Sequence, residues 1–266
     1  MLAQLITDVC AYNYLGCRNP RVEVPVESSK HACALIRRNN AVVGSPKLIL
    51  FDIDGTLIDT GGAGAHSWTW AFKRQFGREI DIAEHSTAGM TDPAIGRATF
   101  REVMNREPTS EELNRLMGSY QAVLPDFVAS SPDYRVLDGV VDLLERLTSD
   151  GVLLGLTTGG LEAAAHAKLG RGQLNHFFHV GGYGSDSEDR TTLTRAAVDR
   201  GRRILDGKLD LATVFVVGDT PLDIAAAEGV GAVSVGVASG RYSVEELRDA
   251  NPDHVLASLA EPFPGT

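Results

Sequence analysis

The sequence predicts an α/β fold in which a doubly wound parallel sheet is interrupted after its first strand by a helical insertion. Short apolar runs of strand length alternate with one-sided helical patterns in the C-terminal half of the chain, which is typical of a parallel sheet covered by helices on both faces. Between about residues 61 and 135 the strand signals vanish and only helical patterns occur. The 266 residues are enough for one domain with such an insertion.

Composition argues against several classes of protein. Hydrophobic residues make up 43% and charged residues 23% of the chain, which excludes collagen-like, coiled-coil and wholly disordered proteins. The 25 Lys and Arg against 35 Asp and Glu give a net charge of -10, which argues against nucleic acid or an anionic membrane as the main partner. The cysteines are Cys10, Cys17 and Cys33, so disulfides do not stabilise the predicted domain. The chain shows neither an apolar run of membrane length nor a signal peptide, and this predicts a cytoplasmic location.

The predicted core begins after an N-terminal extension. Residues 1–45 show neither the helical nor the strand period, and we expect them to be poorly structured. From Lys47 the character changes, because Leu48 to Phe51 form the short apolar run of a buried parallel strand. The prediction therefore assigns residues 46–60 and 136–266 to an α/β core, and residues 61–135 to the helical insertion.

Helix signals define the insertion. Apolar residues from Trp68 to Phe76 share one helical face, and Asp92-Pro93 is interpreted as an N-cap followed by proline at the first helical position. Thr109 to Glu112 matches a capping box ahead of a third apolar face. We expect hinges at Gly61-Gly62, where the chain leaves the core, and at Pro132 to Leu137, where it returns.

After the insertion, strands and helices are predicted to alternate. A helix is expected around residues 140–147, where apolar residues keep the spacing of a one-sided helix. Apolar runs predict strands at 152–156, 213–217 and 232–236, and a longer helical pattern covers 193–204.

Acidic residues follow two of the predicted strands directly. Asp52 and Asp54 come after the first strand, on the same side of an extended segment, and Gly55 then allows a sharp turn. Alone, this pair is compatible with a metal site, with a nucleophile beside an acid/base, or with an ordinary turn. Asp219 and Asp223 follow the strand at 213–217, where an N-cap is the structural alternative. Two acidic strand ends in one sheet would bring three or four carboxylates together, which favours a bound cation, and oxygen ligands of this kind suit Mg²⁺.

A third strand end carries groups suited to a phosphoryl group. Thr158 and Gly159 end the strand at 152–156, and their hydroxyl and N–H groups can donate hydrogen bonds to phosphoryl oxygens. Arg190 precedes a predicted helix and is a candidate cationic donor. A plain glycine-rich turn and a surface arginine are the structural alternatives.

From Lys47 to its end, the chain resembles the haloacid dehalogenase superfamily of hydrolases, which form an aspartyl phosphate. The resemblance lies in the motif DIDGTLID of Asp52 to Asp59, followed in order by Thr158, a basic residue and the motif GDTPLD that contains Asp219. It implies a Rossmann-like core with an all-helical cap inserted after the first strand. The place and length of the insertion favour the branch of phosphoglycolate phosphatases and beta-phosphoglucomutases.

The resemblance also implies roles for the four acids. Asp52 is the expected nucleophile, and Asp54 the expected general acid/base. The expected Mg²⁺ ligands are Asp52, the backbone carbonyl of Asp54, and Asp219, with Asp223 in support.

For the phosphoryl group, the resemblance implies binding by Thr158 at the Thr158-Gly159 turn. Arg190 occupies the approximate place of the family's usual lysine. Gly160 stands where this branch often has asparagine.

Together these features predict a Mg²⁺-dependent phosphatase that hydrolyses a small phosphorylated metabolite, as a monomer or homodimer. The alternatives are a sugar phosphomutase and a non-catalytic phospho-aspartate binding or signalling module. Dehalogenation is disfavoured because the second acid, Asp54, is present. Phosphonate cleavage would need a lysine in the insertion, where Lys73 is the only one. Whether insertion residues such as His85, Met90, Thr91 and Arg97 contact the substrate is left open by the sequence.

Overall fold

Eight strands and eight helices, with three short 3₁₀ helices, make up residues 45–266, the part of the chain that the computed structural model describes. The strands are β1 Leu48–Phe51, β2 Ile58–Asp59, β3 Arg135–Val136, β4 Leu153–Thr158, β5 Val180–Tyr183, β6 Val214–Gly218, β7 Val233–Val237 and β8 His254–Leu256. The helices are α1 Ala63–Phe76, α2 Asp92–Met104, α3 Ser110–Ser130, α4 Val140–Ser149, α5 Glu162–Arg171, α6 Arg190–Ile204, α7 Pro221–Val230 and α8 Val244–Asp249. The predicted N-terminal extension lies outside the described residues, apart from its last residue.

Six strands form one parallel sheet in the order β5-β4-β1-β6-β7-β8. Strand β1 lies at its centre, where Phe51 pairs in register with Leu156 of β4 and with Val217 of β6. All four residues of β1 are fully buried, as a strand covered on both faces requires. The α/β fold with a parallel sheet is therefore confirmed. Because the strands are parallel, the carboxyl ends of β1, β4 and β6 lie at the same edge of the sheet.

The helical segment leaves and rejoins the sheet domain through a two-stranded ribbon. Strands β2 and β3 pair antiparallel, with Ile58 opposite Val136 and Asp59 opposite Arg135. The Arg135 Nη2 atom lies 2.9 Å from the Asp59 Oδ2 atom, which adds an ion pair across the ribbon. Helices α1, α2 and α3 all lie between these two strands, as the insertion pattern predicts. The exact domain boundaries at residues 61 and 135 stay a prediction.

The insertion has its own apolar core. The rings of Trp68 on α1 and Tyr120 on α3 stack with centroids 4.3 Å apart, and Phe72 and Phe100 are fully buried beside them. Helix α3 starts with the predicted capping box of Thr109 and Glu112. This one-sided apolar packing explains why helical periodicity is clear in this part of the sequence.

The start of α2 differs from the prediction. The N-cap is Thr91, whose hydroxyl accepts a hydrogen bond from the Ala94 N–H at 3.4 Å, and Asp92 is the first helical residue. The Asp92 carboxylate accepts a hydrogen bond from the Leu161 N–H at 2.8 Å instead, so a contact outside the helix has replaced local capping.

The predicted strands after the insertion are each shifted by one or two residues from the observed β4, β6 and β7. Strands β2, β3, β5 and β8 correspond to no strand that the sequence predicts. Strand β5 reads VGGY, and its two glycines remove the apolar run that indicates a buried strand. No helix within residues 45–266 combines the length and the apolar character that spanning a membrane requires.

Candidate active site

A cavity of about 330 Å³ opens at the carboxyl edge of the sheet, between the strand ends and the helical insertion. The strand ends contribute Asp52, Thr158 and Asp219 to its lining, and the insertion contributes Trp68 and Tyr120, among others. This is the place where open α/β sheets bind ligands. Its volume is at the lower end of the range for small-molecule sites, so it suits a small substrate.

The first acidic motif turns sharply at the end of β1. Asp52 is buried and its N–H donates a hydrogen bond of 2.8 Å to the Val217 carbonyl, which continues the sheet by one residue. Gly55 has a φ of 82°, and a Cβ at this position would collide with the Asp219 carboxylate. Glycine is therefore required here both by the backbone and by the close approach of the second acidic motif.

Three carboxylates meet at this turn. Asp52, Asp219 and Asp223 each offer an oxygen atom, and these three atoms lie within 4.8 Å of one another. All three residues are at least 95% buried. The Asp54 side chain lies outside this cluster and is exposed, so only its backbone carbonyl can serve as the fourth predicted ligand, which stays a prediction.

Local hydrogen bonds orient the second acidic motif. Asp223 forms a capping box with Thr220, whose N–H and hydroxyl donate to the Asp223 Oδ2 atom at 3.1 and 2.6 Å. The Thr56 hydroxyl donates to the Asp219 Oδ1 atom at 3.4 Å. Thr220, and not Asp219, is thus the N-cap of α7, and Asp223 both completes its capping box and belongs to the carboxylate cluster.

The electrostatics of the cluster favour a bound cation. Burial raises the pKa of Asp52, and the nearby Asp223 adds to this against the opposing charge of Arg190. Burial likewise raises the pKa of Asp219, with further contributions from Asp52 and Asp223. A divalent cation would relieve this repulsion, and carboxylate oxygens are the ligands of hard cations such as Mg²⁺. The residues present therefore fit a divalent metal site.

Arg190 lies at the start of α6 and joins the cluster to the insertion. Its Nη2 atom lies 2.8 Å from the Asp52 Oδ1 atom and 2.5 Å from the Asp223 Oδ1 atom. Its Nη1 atom donates to the Gly89 carbonyl of the insertion at 2.8 Å. The buried Nε atom has no hydrogen-bond partner among residues 45–266. Arg190 also lines the cavity and is therefore part of the site.

Thr158 and Gly159 lie where the sequence places them, at the end of β4. Thr158 is buried, and its hydroxyl accepts a hydrogen bond from the Gly160 N–H at 3.1 Å. The Gly159 carbonyl accepts from the Asp92 N–H at 2.7 Å, and a Cβ on Gly159 would lie 2.5 Å from the Met90 carbonyl oxygen. Both residues line the cavity, and their role in phosphoryl binding stays a prediction.

The sequence reasoning missed Lys168 on α5. Its Nζ atom lies 2.5 Å from the Asp54 Oδ2 atom, and the residue is only 6% exposed. No motif contains it, but a signal exists: Lys168 shares the buried face of α5 with Ala164, Ala165 and Leu169. A lysine on the apolar face of an amphipathic helix requires a partner from elsewhere in the fold.

Asp92 was predicted only as a helix cap, yet it lines the cavity. Burial raises its pKa to about 6, against the opposing charge of Lys168. Of the four insertion residues that the sequence left open, Met90 lines the cavity. The other three lie outside its lining and have partners elsewhere: Thr91 with the Glu188 carbonyl, Arg97 with the Glu188 carboxylate, and His85 with Glu102.

Comparison with known proteins agrees with this geometry. Residues 49–237 match the family described as Haloacid dehalogenase-like hydrolase. A 5'-nucleotidase from Pseudomonas aeruginosa is 30% identical over 226 residues, which cover 80% of this chain and 91% of that protein. A phosphoglycolate phosphatase from Synechococcus elongatus is 28% identical over 220 residues, which cover 80% of this chain and 93% of that protein. A beta-phosphoglucomutase-like structure from Bacteroides vulgatus superposes with a TM-score of 0.62 at 20% identity, covering 81% of this chain and 85% of that one.

Proposed function

Because the chain belongs to the haloacid dehalogenase-like hydrolases and is a phosphatase of that family, we propose that it hydrolyses a small phosphate monoester with Mg²⁺ through an aspartyl phosphate on Asp52. One observation carries the proposal. Asp52 and Asp219 of the buried carboxylate cluster line a small cavity together with the cation of Arg190, which also pairs with Asp223. This arrangement provides a nucleophile and the means to neutralise an anionic substrate.

The cluster would hold Mg²⁺ through the side chains of Asp52 and Asp219 and the backbone carbonyl of Asp54, with Asp223 close by. When bound, the metal ion supplies positive charge to the phosphoryl oxygens. Arg190 and the Thr158 hydroxyl, which both line the cavity, would bind the remaining oxygens.

In the first step, a carboxylate oxygen of Asp52 attacks phosphorus and the ester P–O bond breaks. The leaving oxygen takes a proton from Asp54, and the alcohol departs. In the second step, water attacks the same phosphorus and gives its proton to the Asp54 carboxylate. The bond from phosphorus to Asp52 breaks, inorganic phosphate leaves, and both aspartates return to their starting states.

The substrate class is proposed from the cavity and the relatives. A volume of about 330 Å³ leaves space for a small alcohol beside the phosphoryl group. The relatives include proteins named as phosphoglycolate phosphatases and a 5'-nucleotidase. Of these two substrate types, a phosphoglycolate-like ester suits the limited volume better than a nucleotide.

The proposal is tested with purified protein that has been treated with EDTA and then dialysed. Phosphate release is measured from 2-phosphoglycolate, 5'-nucleotides, sugar phosphates and p-nitrophenyl phosphate, with and without Mg²⁺. We expect Mg²⁺-dependent release from at least one alkyl ester. We expect Asp52→Asn to lower kcat by a factor of about 1,000 or more, since it removes the nucleophile.

Asp249→Asn is the matched control, because Asp249 is an exposed carboxylate at the end of α8, outside the lining of the cavity. Near-native turnover by Asp52→Asn would contradict the nucleophile assignment. Isomerisation of a sugar phosphate without phosphate release would favour the phosphomutase alternative.

A further inference from the structure

Lys168 is a buried cation that the proposed phosphatase mechanism does not use. It projects from α5, and its Nζ atom has one hydrogen-bond partner among residues 45–266, the Asp54 Oδ2 atom at 2.5 Å. Asp92 on α2 and Tyr120 on α3 line the same cavity as Lys168 and contribute to raising the pKa of its ammonium group. Lys168 therefore lies between the expected acid/base and two side chains of the helical insertion.

Packing alone does not account for a lysine at this position. Burial disfavours the charged form of Lys168 more than any single neighbour favours it, but Asp54, Tyr120 and Asp92 together outweigh burial, and the pKa of the ammonium group is raised. Burying an ion pair is at best a weak source of stability, and an apolar side chain would fill the same space at lower cost. The other buried residues on this face, Ala164, Ala165 and Leu169, already dock the helix.

Asp54, in contrast, has little else to orient its side chain. The carboxylate side chain is 47% exposed, so packing does not select its rotamer. Among residues 45–266, the Lys168 ammonium is the only group that hydrogen-bonds to this carboxylate. A general acid/base must lie within hydrogen-bond reach of the proton that it transfers. Loss of Lys168 would leave this carboxylate free to rotate into solvent.

The helical insertion in turn holds the start of α5. The Asp92 N–H donates to the Gly159 carbonyl at 2.7 Å, and the Asp92 carboxylate accepts from the Leu161 N–H at 2.8 Å. These two bonds join the first turn of α2 to the segment that immediately precedes α5. The position of Lys168 is therefore defined jointly by the core and the insertion.

We propose that Lys168 is a positioning residue that orients the Asp54 carboxylate toward the leaving-group oxygen. The inference rests on the proposed function, because it assigns Lys168 a part in the same reaction. It concerns the proton transfer from Asp54 and leaves the attack by Asp52 unchanged. Its signature is therefore a dependence on the leaving group.

The experiment compares kcat/KM of Lys168→Met and wild type on two esters in the presence of Mg²⁺. One is the best alkyl ester from the substrate panel, whose alkoxide needs a proton in order to leave. The other is p-nitrophenyl phosphate, whose phenolate leaves without one. Because kcat/KM covers only the steps up to departure of the leaving group, it isolates the first proton transfer. We expect a loss of about tenfold or more on the alkyl ester and of less than about threefold on the aryl ester, since full acid catalysis contributes about 10²- to 10⁴-fold.

Two further variants complete the test. Lys168→Gln keeps a neutral N–H donor and should show the same selectivity with a smaller loss, so it carries the test if Lys168→Met does not fold. Lys73→Met removes an exposed lysine whose Nζ atom lies 3.3 Å from the Glu79 carboxylate, and it should match wild type on both esters. Thermal unfolding of each variant establishes that the protein is folded at the assay temperature.

Equal losses on both esters would overturn the inference, because they indicate a structural or substrate-binding role for Lys168. Unchanged kcat/KM on both esters would overturn it as well. Either result leaves the proposed function intact as long as wild type is active and Asp52→Asn is not. Failure of the proposed function would instead appear as activity in Asp52→Asn.

Discussion

Removing the divalent cation from the carboxylate cluster is expected to lower the stability of the fold, and to do so more at high pH than at low pH. The cluster contains Asp52, Asp219 and Asp223 against the single charge of Arg190, so three negative charges and one positive charge leave a net charge of two minus when all are ionised. Burial and this repulsion raise the pKa values of Asp52 and Asp219 in the folded protein without metal.

The sign of the pH effect follows from these directions. A carboxyl group whose pKa is raised by folding binds its proton more tightly in the folded state than in the unfolded state. Its protonated form therefore favours folding, and this contribution is lost as the pH rises from the ordinary aspartate range through the raised pKa. The protein without metal should thus be less stable at pH 8 than at pH 5. Bound Mg²⁺ should compensate for this loss, most strongly at pH 8, where protons no longer compete with it.

The size of the effect follows from mass action. Mg²⁺ at 100 times its dissociation constant stabilises the folded state by about 2.7 kcal/mol. For a domain of this size, each kcal/mol shifts Tm by about 2 to 4 °C. We therefore expect Mg²⁺ to raise Tm by roughly 5 to 10 °C at pH 8 relative to EDTA, measured by circular dichroism, and by less at pH 5.

The variant Asp219→Asn tests the cause of this shift. It removes one charge and one ligand, while its amide oxygen still accepts from the Thr56 hydroxyl. In EDTA at pH 8 it should be more stable than wild type by about 1.4 kcal/mol or more, the equivalent of one pKa unit. Its response to Mg²⁺ should be much smaller, whereas Asp249→Asn should behave as wild type. A Mg²⁺ shift as large in Asp219→Asn as in wild type would refute the reasoning, and so would a loss of stability in EDTA.

Two further predictions concern residues at the contact with the insertion. Arg190→Lys keeps the positive charge but loses the planar set of donors. We expect kcat/KM, measured by steady-state kinetics, to fall by about 100-fold, as when one preorganised donor to a transition state is removed. A loss below threefold would contradict this prediction. Burial raises the pKa of Asp92 to about 6. The free energy of unfolding of wild type should therefore fall as the pH rises from about 4 to about 6, by up to roughly 3 kcal/mol for a pKa raised by about two. Asp92→Asn should remove that part of the pH dependence in urea unfolding measured from pH 4 to pH 7, and an unchanged slope would refute the assignment.

The features of this fold that can be predicted from sequence are those with a local signal. The run Leu48 to Phe51 and the acids after it are contiguous, and the geometry of a parallel sheet brings Asp52 and Asp219 together without further information. The signal for Lys168 is weaker, a lysine among apolar residues on one face of α5, and its partner Asp54 lies 114 positions away in the sequence. Whether a lysine on a helix face is buried depends on what packs on that face, and this is set by tertiary structure.

The same distinction explains the error at α2. Asp followed by Pro is a good local signal for a helix N-cap, and the helix does begin there. The local signal could not show that Thr91 takes the capping role and releases Asp92. The released carboxylate then bonds to the Leu161 N–H, 69 positions away in the sequence. A residue that fits a local capping pattern can thus have a different role, in joining two parts of the fold.

Arg190 shows how this chain accommodates an arginine at the place where the resemblance puts a lysine. Its acidic surroundings in the sequence do not compete for it, because Asp189 caps α6, Asp186 pairs with Arg200, and Glu188 pairs with Arg97. The guanidinium is left to bridge two carboxylates of the cluster with Nη2, while Nη1 reaches the insertion and Nε stays unpaired. A lysine offers a single charged atom and does not provide three donors in one rigid plane. Arginine at this position therefore contacts the carboxylate cluster and the insertion at once.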